Sequence, residues 1–146
     1  MRLAVGLGLQ EGFGMNLSLK RVLLGFVGLV IPVFAMAEVP RITAAEAARR
    51  VAEGKAVLVD VREPAECAES GVAAPAVLLP MSDFRGDQTL WKPFLESVKG
   101  KEVILYCRSG GRAGNVGEKL AAQGVTVANA GGFKDWAAEK LPTRKP

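Results

Sequence analysis

The sequence predicts a small parallel α/β domain, and three observations lead there. Short aliphatic and β-branched runs at Ala56–Val59, Ala76–Leu79, Lys101–Tyr106 and Val125–Val127 alternate with stretches of helical composition. Glycines stand where two of those helices should end, at Gly54 and Gly124. No run is long enough to span a larger sheet, and 146 residues suffice for one hydrophobic core. A hydrophobic content of 49% with 23% charged residues fits a globular chain and not a disordered one.

The first 37 residues read as an export signal and the rest, 38–146, as the domain. Lys20-Arg21 precede Val22–Phe34, thirteen residues without charge, followed by Ala35-Met36-Ala37. That order is a basic region, an apolar region and a small-x-small cleavage site. Pro32 breaks a helix just ahead of the scissile bond. Met15–Ala37 forms a complete signal by itself, so either Met1 or Met15 serves as the start. Cleavage would leave Glu38 as the mature N-terminus of a periplasmic or secreted protein with no stable membrane association. The competing reading is an N-terminal anchor facing the periplasm. Against it, Val22–Ala37 holds only sixteen uncharged residues, with Gly25, Gly28 and Pro32 among them, where a span needs about 20 apolar residues.

Within the domain, Thr43-x-x-Glu46 predicts a capping box for a helix over Ala44–Glu53. Ala56–Val59 reads as a buried strand ending in Asp60-Val61-Arg62-Glu63, and Pro64 suits the first turn of the next helix, with Glu66 and Glu69 near its positive end. Asp83–Val98 places Trp91, Phe94, Leu95 and Val98 on one apolar helical face. Trp91 and Phe94 belong in the core or at a substrate mouth, with packing the favoured use. Val116, Leu120 and Ala121 mark an amphipathic helix after the strand Lys101–Tyr106.

Composition excludes several functions. Of 19 basic and 15 acidic residues, Arg2, Lys20, Arg21 and Glu11 lie within 1–37, leaving the domain at 16 to 14, which is no nucleic-acid footprint. The chain has no histidine and two cysteines, so a zinc site is not expected and a Cys–His nucleophile pair is impossible.

The chemistry concentrates in Cys107-Arg108-Ser109-Gly110-Gly111-Arg112-Ala113. A buried strand delivers a thiol into a glycine-containing loop that opens a helix. Backbone N–H groups there would form an anion-binding nest and favour the thiolate, which is the nucleophilic form of sulfur. Arg112 adds a fixed charge and a forked donor. The blander possibility is a buried cysteine before an ordinary turn.

Cys107 to Ala113 resembles the active-site loop of the rhodanese sulfurtransferases. A similar Cys-to-Arg loop, one residue longer, occurs in cysteine-dependent phosphatases. Asp60-Val61-Arg62-Glu63 is similar to the tetrapeptide that rhodaneses carry after their second strand, and Gly131-Gly132-x-x-x-Trp136, followed by Leu141-Pro142, to the motif that ends them. Between these, Cys67 takes a position the family gives to an aromatic residue, and Val72–Pro75 departs from its pattern. The resemblance covers nearly all of Ile42–Pro142. It implies a three-layer domain whose mainly parallel sheet has five strands and helices on both faces. It also implies that Cys107 takes sulfur from thiosulfate or a persulfide donor, carries it as a persulfide, and yields it to a thiophilic acceptor such as cyanide, a thiol or a protein. Arg112 would organise the loop, Arg108, Ser109, Gly110, Gly111 and Ala113 would bind the anionic donor, and Asp60 and Arg62 would hold neighbouring loops together. No metal or cofactor is expected, because sulfur itself is the carried group. A thiol–disulfide protein using Cys67 and Cys107, or a rhodanese-fold module that binds without catalysing, stay open as alternatives.

Overall fold

The computed structural model describes residues 38–146, so the expected leader, Met1–Ala37, lies outside the described residues. In chain order the elements are α1 Ala44–Ala52, β1 Ala56–Asp60, α2 Pro64–Ser70, β2 Val72–Ala73, β3 Val77–Leu78, α3 Met81–Arg85, α4 Trp91–Ser97, β4 Glu102–Cys107, α5 Gly111–Ala122, β5 Val127–Gly132, α6 Phe133–Ala138 and β6 Thr143–Arg144. The main sheet is parallel, in the order β3-β1-β4-β5, and β2 pairs with β6 in a separate antiparallel ribbon.

Side chains on β4 alternate between two cores, as a strand covered on both faces requires. Val103, Leu105 and Cys107 face a core with Met81, Phe84, Trp91, Val116 and Leu120. Ile104 and Tyr106 face another with Ala44, Ala47, Leu58, Ala128 and Trp136. Helices α3, α4 and α5 thus cover one side of the sheet, and α1 and α6 the other. Trp91 is fully buried, edge-on to Phe84 and Phe94 at centroid distances of 5.0 and 6.1 Å. It packs the core and lines no mouth.

Four expectations need correction. The main sheet has four strands, not five; at the place of a fifth stands a single parallel bridge, Arg41 to Asn129. Asn129 N–H donates to Pro40 O at 2.9 Å and its carbonyl accepts from Ile42 N at 3.0 Å. Pro40 has no N–H to extend the ladder, and at Thr43 the chain already turns into α1, with Oγ1 accepting from Glu46 N at 3.1 Å. The reciprocal half of the capping box is missing, because the Glu46 carboxylate binds Arg49 and Arg50 instead.

Asp83–Val98 forms two helices rather than one. Asp83 accepts from the N–H groups of Thr89, Leu90 and Trp91, at 3.0, 3.0 and 3.2 Å, and so starts α4 anew. Pro93 then falls in the first turn of α4, where a missing N–H costs nothing; inside one long helix it would have broken it. Finally, β5 runs over Val127–Gly132, later than the expected Val125–Val127. Val125 N–H closes α5 by donating to Leu120 O at 3.1 Å, which keeps it out of the sheet.

Candidate active site

Cys107 is the last residue of β4, a strand flanked on both sides, so its thiol emerges at the carboxyl end of the sheet, where open parallel sheets bind ligands. The pairing of β4 with β5 shifts register just there. Leu105 faces Asn129 but Cys107 faces Gly132, so β5 spends one extra residue. Gly131, at φ +81°, takes the turn that this bulge demands. Gly132 then passes so close to the Arg108 carbonyl that a Cβ would collide with it.

The thiol is 1% exposed. Gly110 N–H donates to Cys107 Sγ at 3.1 Å, and Gly110, at φ +97°, is the N-cap of α5. Burial pushes the thiol pKa up, but the backbone N–H groups of Ala113, Ser109, Gly110 and Arg112 outweigh it and hold the pKa below its ordinary value. Ala113 is buried with Cys107, whereas Arg108, Ser109 and Gly111 are exposed at the rim.

Arg112 does not offer its fork to solvent. Its Nη1 and Nη2 donate to Glu66 Oε2 and Oε1 at 2.5 and 2.7 Å, and Glu66 Oε2 also accepts from Glu63 N at 3.0 Å, ahead of α2. Hydrogen bonding to Arg112, against some burial, brings the Glu66 carboxyl down to about 2. The Arg112 pKa rises in turn, chiefly through Glu66 and with a contribution from neighbouring Cys107. The loop is therefore tied across to α2 by a bidentate pair. Sequence reasoning placed Glu66 at the helix dipole and missed this role; forty-six residues separate the partners, and no local spacing marks them.

Asn129 was missed as well. It is 6% exposed, donates from Nδ2 to Gly110 O at 2.9 Å, and accepts at Oδ1 from Gly131 N at 2.9 Å. One side chain joins the loop to the bulge.

Asp60 and Arg62 form a buried pair at the end of β1. Arg62 Nη2 meets Asp60 Oδ2 at 2.6 Å, and the same guanidinium reaches Ser70 Oγ at 2.7 Å and Gly71 O at 2.8 Å. It lies over the Phe133 ring at 4.6 Å. Asp60, Arg62 and the end of α2 are thereby fastened together, below an open cleft of about 450 Å³ whose lining includes Arg62, Glu66, Ser70, Arg108, Phe133 and Lys134. Cys67 Sγ lies 3.7 Å from Asp60 Oδ2, and burial, then that carboxylate, push its pKa up to about 11. Both cysteines are free. Among the described residues no group of His, Cys, Asp and Glu side chains could hold a metal ion.

An arrangement of this kind can hold a sulfur anion and make it nucleophilic without a side-chain base. Residues 43–139 match the family described as the Rhodanese-like domain. An uncharacterized protein of Synechocystis is 36% identical over 91 residues, which are 61% of this chain. The chain spans about half the length of that relative, 47%. A protein of Allochromatium vinosum named as a sulfurtransferase is 37% identical over 92 residues, covering 62% of this chain and 79% of the relative. Among solved structures, a rhodanese-like domain protein from Staphylococcus aureus superposes with a TM-score of 0.56 at 30% identity, covering 72% of this chain and 98% of that one.

Proposed function

The chain belongs to the rhodanese-like family, and from that premise we propose that it is a sulfurtransferase whose carrier is Cys107. The thiolate attacks the outer sulfur of thiosulfate, or of a persulfide donor. A new S–S bond forms on Cys107 as the donor's bond breaks, and sulfite or the donor thiolate leaves with the electron pair. The acceptor, cyanide or a thiolate, then attacks the outer sulfur and restores the Cys107 thiolate. This is covalent catalysis in two displacements.

One observation carries the reading: a buried sulfur held among loop amides, with Gly110 N–H at 3.1 Å, in a chain without histidine. The loop amides would stabilise the negative charge of the persulfide as they do that of the thiolate. The relative named as a sulfurtransferase supports the same reaction class. In this reading Arg108 and Ser109, exposed at the rim, bind the anionic donor, and a protein acceptor docks at the cleft. With Lys20-Arg21 and Ala35-Met36-Ala37 ahead of the domain, the reaction is assigned to the periplasm or outside the cell.

The test is mass spectrometry after thiosulfate treatment, together with transfer to cyanide. Wild type should gain the mass of one sulfur atom on Cys107 and lose it to cyanide. Cys107→Ser should fold and do neither, because serine holds no transferable sulfur. Wild-type turnover retained by Cys107→Ser would overturn the assignment.

A further inference from the structure

We propose that Arg41 is a positioning residue for Cys107: its guanidinium holds the Ser109–Gly110 peptide from behind, so that the peptide N–H faces the sulfur. This deepens the proposed function and rests on its first requirement, that Cys107 reacts as a thiolate.

The geometry of one peptide carries the argument. Arg41 Nη2 donates to Ser109 O at 3.5 Å, and the N–H of the same peptide, on Gly110, donates to Cys107 Sγ at 3.1 Å. In a planar trans peptide the C=O and N–H point in opposite directions, so the guanidinium and the sulfur lie on opposite sides of it. A cation on the carbonyl oxygen also polarises the amide and makes its N–H a better donor. The next peptide is held in the same way, because Asn129 Nδ2 donates to Gly110 O. Arg41 and Asn129 are bridge partners at the edge of the sheet. Two paired residues thus grip two successive peptides of the loop.

A second observation is independent of these bonds. The guanidinium occupies a slot kept open by two glycines. A Cβ on Gly110 would come within 2.6 Å of Arg41 Nη1, and one on Gly131 within 3.3 Å of Nη2. Val39, packed against Gly117 and close to Leu105, seats the segment that carries Arg41. Among the described residues Arg41 makes no ion pair. The other charged groups around the loop are Arg108, Arg112 with its partner Glu66, and Asp135, which binds Gly132 N at 2.9 Å. None of them touches the Ser109 carbonyl.

The test is the pH dependence of Cys107 alkylation by iodoacetamide in full-length Arg41→Ala, Arg41→Gln and Arg41→Lys. In Arg41→Ala the midpoint should move to higher pH, and the rate at pH 7 should fall about three- to tenfold, the scale of one weak charge-assisted hydrogen bond. The difference from wild type should close at high pH, where both thiols are ionised. Arg41→Lys, which keeps the charge, should recover part of the loss, and Arg41→Gln less. A midpoint equal to wild type in Arg41→Ala overturns the proposal, whether or not the melting temperature falls, because that is the result for a merely structural arginine. Alkylation needs no sulfur donor. If the shift appears while wild type transfers no sulfur, the sulfurtransferase reading fails and the role of Arg41 stands.

Discussion

Replacing Gly132 with alanine tests whether the bulge on β5 sets the position of the reactive loop. The added methyl would sit well inside 3.0 Å of the Arg108 carbonyl oxygen and 3.1 Å from its carbon. Backbone cannot rotate away as a side chain can, so that carbonyl must retreat by about half an ångström or more. The N–H of the same peptide belongs to Ser109, one of the donors that favour the Cys107 thiolate. Overpacking of this kind costs about 1–3 kcal/mol, which lowers the melting temperature of a domain this size by on the order of 5–15 °C. Since a misplacement of about 1 Å at a reacting group costs ~100-fold, half that displacement should slow sulfur transfer about tenfold. The matched control is Gly114→Ala in α5, where the new methyl meets Asn129 Nδ2 at an ordinary 3.5 Å. It should be neutral or stabilise by up to about 1 kcal/mol. Thermal melts and transfer rates on both variants decide the matter. If Gly132→Ala matches the control in both, the close approach does not position the loop.

Glu66→Gln removes the carboxylate that grips Arg112. Because the folded-state pKa lies near 2, below the ordinary 4.5, the pair stabilises fully above that ordinary value and loses its effect as pH falls through about 2. Chemical denaturation should therefore show wild type more stable by about 1 kcal/mol at pH 7, since both partners are partly exposed. That gap should narrow below pH 4.5 and vanish near pH 2; a gap independent of pH would mean that the ion pair is not its source. Cys67, buried and with its pKa near 11, should resist alkylation under native conditions at pH 7 while Cys107 reacts. Cys67→Ala should keep sulfur transfer within about twofold and lose about 1 kcal/mol of stability. A large loss of transfer in folded Cys67→Ala would point to a resolving thiol.

The alternation of apolar runs with helical stretches was enough to place β1, β4 and α5, because fully buried strands and an amphipathic helix carry their own periodicity. The cysteine loop was legible for a local reason: its glycines and the helix after it are contiguous with Cys107. What escaped was held by distant partners or by side-chain capping. Asp83 restarts a helix at Trp91, and Pro93, which a helix tolerates only in its first turn, is the local sign of that start. The fifth strand shrank to one bridge because Pro40 and Thr43 leave little extended chain between them. Gly131-Gly132 was visible only as a family motif; its physical reasons, a left-handed turn and a close carbonyl, depend on the register of β4 against β5. Glu66, Asn129 and Arg41 reach the loop from 46, 19 and 68 residues away, beyond any spacing rule.

The bulge at Gly131 also bears on when the reactive loop becomes fully ordered. A chain that emerges N-terminus first presents Cys107 more than twenty residues before Asn129, Gly131 and Gly132 can dock behind it. Until they do, the Gly110 carbonyl lacks its Asn129 partner and Arg108 lacks its close contact with Gly132, so the loop around the thiol is held only by its own helix and by partners earlier in the chain. Full ordering of the loop thus waits for β5, the last strand of the main sheet in chain order. A partly made chain carries the Cys107 loop without its β5 supports, and the loop reaches its final form once β5 has closed the main sheet.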